Sequence, residues 1–80
     1  MQVSDVHSRD DFVKFVEAMS RDREMDGGSW ANPDLSDYLS AIARWTEGME
    51  RVYKNTGKTM PRDIDWEFIA TLFHIGKIYE

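Results

Sequence analysis

The sequence predicts an all-α fold, a compact bundle of three main helices at about residues 9–24, 33–55 and 65–79. Three observations carry that expectation. Apolar side chains recur at intervals of three and four in each segment, and a helix-start residue stands ahead of each. No stretch alternates with the two-residue period of a half-buried strand. Eighty residues without an internal repeat, low-complexity tract or linker make one domain, 1–80. A chain of this size buries roughly 60% of its unfolded surface, so its stability depends on large side chains. Three Trp, three Tyr and four Phe supply them, and the absence of Cys removes disulfides, thiolate metal sites and thiol nucleophiles.

In the first segment Ser8 is the expected N-cap, and Asp10 and Asp11 suit the positive end of the helix dipole. Phe12, Phe15, Val16 and Met19 form its apolar face. Asp26-Gly27-Gly28-Ser29 should break the helix, because paired glycines favour a turn. The second segment is expected to start with Asn32 as N-cap and Pro33 at the first helical position, where a missing N–H costs nothing. Leu35, Leu39, Ile42, Thr46, Met49 and Tyr53 mark one face, widened by Tyr38, Trp45 and Val52. Gly48 interrupts this helix at a cost of about 1 kcal/mol relative to alanine, and either a close backbone approach or a kink accounts for it. Asn55-Thr56-Gly57 ends it.

Lys58 to Arg62, with Pro61, reads as a connecting loop, after which Asp63 or Asp65 caps the third helix. Trp66, Phe68, Ile69, Ala70, Leu72, Phe73, Ile75 and Ile78 leave little of that helix polar. It is either central in the fold or completes its burial against another chain.

The net charge of −5 is concentrated in residues 1–40, where nine acids face four bases. That excess disfavours nucleic acid, whose binding needs Lys and Arg against phosphates, and suits a basic protein partner. The first residues lack a basic region followed by an apolar one, and the apolar run Phe68 to Gly76 is shorter than the roughly 20 residues a membrane span needs. The expected location is the cytoplasm, without a membrane.

The residues offer no reaction. His7 and His74 lack the i, i+4 partner of a helical zinc site, and the aspartates cluster at helix starts, where capping and dipole effects explain them. No phosphate-cradling loop follows a strand, and no serine sits in a nucleophile elbow. No catalytic residue, cofactor or metal is expected, and the chain reads as a non-enzyme.

Trp30-Ala-Asn32, Tyr38-Leu39, Ala41-x-Ala43-x-Trp45, Tyr53-x-Asn55-x-Gly57, Pro61, Trp66-x-Phe68 and Lys77-Ile-Tyr79-Glu80 together resemble a family of small bacterial proteins known only as a domain of unknown function. The resemblance runs from Trp30 to Glu80, and the Asp11-Phe12 to Phe15 pattern extends it towards the N-terminus. The chain departs from the pattern at Gly48, where an acid is usual, and at Thr46, where a large aliphatic is usual. The resemblance implies a compact helical fold and a bacterial cytoplasmic setting, and brings no catalytic residues.

Small size, acidity and exposed aromatics are also similar to immunity proteins that neutralise bacterial toxins, including nucleases with basic surfaces. The expected partner-binding residues are Asp22, Glu24, Asp26, Asp34 and Asp37, with Trp30 and Tyr38 as aromatic anchors. The alternative expectation is a homo-oligomeric adaptor, a homodimer assembled through the third helix.

Overall fold

The computed structural model describes residues 1–59 and 63–79. The part of the expected loop at Met60–Arg62, with Pro61, lies outside the described residues, as does Glu80. Among the described residues the chain is all-helical, with no strand. The helices are α1 (Arg9–Asp26), α2 (Leu35–Glu47), α3 (Met49–Thr56) and α4 (Trp66–Ile78), with short 3-10 turns at Val3–Asp5 and Gly27–Ser29.

The helix starts governed by local chemistry are as expected. Ser8 Oγ accepts from the Asp11 amide at 3.1 Å, and the Asp11 carboxylate in turn accepts from the His7 amide at 3.1 Å. Asp65, rather than Asp63, caps α4 by accepting from the Phe68 amide at 2.8 Å. Gly57 ends α3 in the left-handed conformation, at φ 72°.

The expected second helix is two helices, which corrects the count of three to four. Gly48 stands between them at φ −99°, ψ 10°, and its N–H reaches both Arg44 and Trp45 carbonyls. A Cβ placed there would meet nothing closer than 3.9 Å, so the glycine marks a kink rather than a close approach. Thr46 adds to the bend by donating its hydroxyl to the Ile42 carbonyl at 2.8 Å, the back-bonding that distorts helices.

A second correction concerns Asn32. It is not an N-cap: α2 begins at Leu35 after Asp34, Pro33 lies outside it, and the Asn32 side chain is buried against the other end of the molecule. The face of α2 differs as well. Leu35 and Leu39 are 69% and 55% exposed, whereas Ala41 and Trp45 are buried and Tyr38 is half-buried. The two candidate stripes overlap on the helix circumference, and the one that meets α4 carries the aromatic rings.

Helix α4 is central. It packs against α1, α2 and the turn at Val3–Asp5, which accounts for its nearly continuous apolar character. Val6, Phe15 and Ala70 form the innermost core, with Val3, Phe12, Val16 and Met19 against them. Phe12 also lies edge-on to Phe73 at 5.4 Å and tilted to Trp66 at 5.6 Å. Against α2 the helix runs antiparallel, since Tyr38 meets Phe73 while Asn32 meets Gly76 and Tyr79.

α2 and α4 approach closely at Gly76. A Cβ at that position would stand 2.7 Å from two carbons of the Tyr38 ring, so any side chain forces the helices apart. Gly76→Ala is therefore expected to destabilise by about 1–3 kcal/mol in urea unfolding, although the same change in an unobstructed helix stabilises by about 1 kcal/mol. Gly28→Ala, with nothing within 4 Å, serves as the neutral comparison; a stabilised Gly76→Ala protein would contradict the packing.

Candidate functional site

The site is assembled by the segment joining α1 to α2. After α1 the chain reverses through the turn at Gly27–Ser29, where the Trp30 amide donates to the Gly27 carbonyl at 3.1 Å and Ser29 Oγ to the Asp26 carbonyl at 2.9 Å. This reversal lays Trp30 back along α1, where its indole Nε1 donates to Asp22 Oδ2 at 2.7 Å. Lys77 of α4 donates to the same oxygen at 2.8 Å and holds its ammonium 5.6 Å from the centre of the Trp30 ring. One carboxylate thus joins α1, the linking segment and α4.

The next two residues complete the end of α4. A helix leaves its last four carbonyls without internal partners; here the Tyr79 amide serves Ile75, and the linking segment supplies donors to Gly76, Lys77 and the following Tyr79. The amides of Ala31 and Asn32 donate to the Lys77 carbonyl at 3.0 and 3.3 Å. The Asn32 side-chain amide donates to the carbonyls of Gly76 at 3.2 Å and Tyr79 at 2.6 Å. Asn32 is therefore a C-terminal cap for a helix remote from it in sequence.

Fixed in this way, Trp30 stacks on Tyr38 with ring centres 6.0 Å apart and 26° between planes. The Tyr38 hydroxyl donates to the Phe73 carbonyl at 2.6 Å, and burial pushes its pKa up to about 12. Trp30, Tyr38 and Phe73 form one side of an open groove of about 310 Å³, and Val16, Met19 and Glu24 of α1 line the other. At its end Arg23 Nε donates to the Pro33 carbonyl at 3.0 Å, bridging α1 to the start of α2.

Of the residues expected to meet a partner, Glu24, Trp30 and Tyr38 line this groove. Asp22 positions Trp30 from behind, with its carboxylate already engaged by two donors. Asp26 and Asp34 are exposed at the ends of the linking segment, and Asp37 is exposed on α2 about 100° around the helix from Tyr38. The only ion pair among the described residues is Lys77–Asp22, so Glu24, Asp26, Asp34 and Asp37 have no ion-pair partner there. Sequence reasoning missed Lys77, Asn32 as a clamp, and Gly76; the last left a signal, because a glycine inside an apolar helix marks close packing.

The groove offers shape, aromatic surface and charge. Among the described residues no group of three or more His, Asp or Glu is placed to hold a metal. His74 is half-buried, and that burial, with Lys77 nearby, holds its pKa below the usual range and favours the neutral ring. No described helix is long and apolar enough to cross a membrane.

A model of a family of unknown function, DUF7660, matches residues 8–80. The chain belongs to that family. No curated protein and no solved structure matches it. The matched span of DUF7660 includes α1, the linking segment, α2, α3 and α4, so every residue of the groove lies within it.

Two titrations report on the groove from opposite ends of the pH scale. Hydrogen bonds from Lys77 and then Trp30 lower the Asp22 pKa below its ordinary 3.8. The folded state therefore binds that proton less readily than the unfolded chain. The contribution is fully present above the ordinary value and is lost as pH falls through the lowered one. Asp22→Asn is expected to lower the urea midpoint at pH 7, with the difference from the parent protein shrinking as pH falls from 3.8 through the lowered folded value. For Tyr38 the folded pKa is raised from 10.0 to about 12, so its contribution is complete below pH 10.0 and is lost as pH rises through about 12. Tyr38→Phe should remove that part of the alkaline loss of stability, measured by the same unfolding series.

Proposed function

We propose that this DUF7660 chain is a non-catalytic protein-binding module that takes a basic partner against the Trp30–Tyr38 groove. Its most specific form is an immunity or inhibitor protein of the bacterial cytoplasm that neutralises a toxin, a nuclease, by direct binding. The observation that supports the reading is the groove itself. An apolar trough with two stacked aromatic rings stands open beside Glu24, and the exposed Asp26 and Asp34 lie at the ends of the segment that carries Trp30. Aromatic side chains fixed by packing are the usual anchors of interfaces, and surrounding charges select and orient the partner. A nuclease surface evolved to hold phosphates has the complementary sign.

The homodimer reading has less support. α4 already packs against α1, α2 and the turn at Val3–Asp5, and two copies with a charge of −5 each repel.

The test is co-expression with the protein encoded immediately upstream, followed by purification and a toxicity assay. The expected result is a stable complex and protected cells. Glu24→Lys and Asp34→Lys should each weaken the complex and flatten its salt dependence, while Asp37→Lys, which points away from Tyr38, should change it little. A complex insensitive to Glu24→Lys and Asp34→Lys would contradict the site; no complex and no protection would contradict the inhibitor reading.

A further inference from the structure

We infer that α3 is a strap that melts and re-forms independently of the rest of the bundle, covering Trp45 when it is helical and uncovering it when it is not. The inference concerns the end of α2 remote from the Trp30–Tyr38 groove and does not rest on the partner-binding reading.

The first observation is how little packing holds α3. None of its eight residues is buried; Met49 and Tyr53 are half-buried and the others are exposed. By contrast α1 contributes Phe15 to the interior, α2 contributes Ala41 and Trp45, and α4 contributes Ala70 and Gly76. Tyr53 ties α3 to α2 by lying edge-on to Trp45, with ring centres 6.2 Å apart and 65° between planes. On its other side α3 borders an open cleft of about 490 Å³, to which Val52, Tyr53 and Thr56 contribute from the strap and Val3, Phe68 and Thr71 from the bundle. With the strap in place Trp45 is 7% exposed.

The second observation is how α3 is joined. In a continuous helix each amide reaches the carbonyl four residues back. Here the Gly48 amide reaches the Arg44 and Trp45 carbonyls, and the amides of Arg51 and Val52 both return to the Gly48 carbonyl, at 3.1 and 3.4 Å. The hydrogen bonds of the two helices meet at one glycine, so α3 can be lost while the ladder of α2 stays intact.

Length decides the kind of motion. An isolated helix shorter than roughly 12–15 residues is marginal in water, so α3 does not stay helical once Tyr53 leaves Trp45. Opening is local melting rather than the swing of a rigid arm. Glu50 in the first turn and Lys54 in the last suit the helix dipole, and these local interactions favour the helix again as Tyr53 returns.

The test is amide hydrogen exchange of the full chain, followed by NMR. The amides of Tyr53 to Thr56 close the turns of α3 itself. They are expected to exchange at least roughly ten-fold faster than those of Phe15 in α1 and Leu72 in α4. Tyr53→Ala removes the tie and should speed exchange in α3 by a further factor of roughly two to ten, with α1 and α4 unchanged. In the same variant labelled with fluorotryptophan, the Trp45 fluorine signal should show a larger shift between water and heavy water. Gly48→Ala, whose Cβ meets nothing closer than 3.9 Å, should slow exchange in α3 by a factor of roughly two to five. Exchange of Tyr53 to Thr56 in step with Phe15 and Leu72 would overturn the inference, because α3 would then open only when the whole molecule unfolds. So would α4 amides that speed up as much as those of α3 in Tyr53→Ala, or α3 rates indifferent to Gly48→Ala. An unchanged Trp45 fluorine shift in Tyr53→Ala would show that the strap does not cover that ring, and would overturn it as well.

Discussion

The end of α4 is the constraint on which the rest depends. Its last carbonyls sit beside the core, where leaving an acceptor without a donor costs free energy comparable to a lost hydrogen bond. The helix has no glycine at its terminus to turn the chain back on itself. The donors come instead from Ala31 and Asn32. That solution fixes the linking segment, and the linking segment fixes Trp30. Gly76 makes it possible by letting Tyr38 lie against the α4 backbone, so a missing side chain on one helix and a large ring on the other belong to one contact.

The same arrangement explains why the groove is open but ordered. Trp30 and Tyr38 spend their polar atoms internally, on Asp22 and on the Phe73 carbonyl, and leave ring surface facing outward. Partly exposed charge pairs such as Lys77–Asp22 contribute little to stability on their own. Their effect here is orientation: the carboxylate holds the indole by one edge while the ammonium lies over its face. Side chains held this way keep little conformational freedom, which is the condition under which a surface would associate at low entropic cost.

Features set by neighbours in sequence were legible. Ser8, Asp65 and Gly57 act within a turn of themselves, and caps of that kind follow from residue type and position. Asn32 reads as a cap because Asn followed by Pro mimics a helix start, while its partners, Gly76 and Tyr79, lie 44 and 47 positions away. Leu35 and Leu39 look like core positions because two apolar stripes on α2 compete, and the choice is made by α4 rather than by α2 itself. The candidate site was half legible. Trp30, Tyr38 and Glu24 belong to one groove, but the structural use of Asp22 depends on Lys77, which no local pattern connects to it.

The central claim is that the Asn32 clamp on α4 is what presents Trp30. It is tested most directly by hydrogen exchange of the Ala31 amide and the Trp30 indole N–H, compared between the parent protein and Asn32→Ala. The account predicts that helical content survives while both protons exchange at least roughly ten-fold faster, the equivalent of about 1.4 kcal/mol in local opening. Unchanged exchange at Trp30 in a folded Asn32→Ala protein would show that the groove is built without the clamp, and would contradict it.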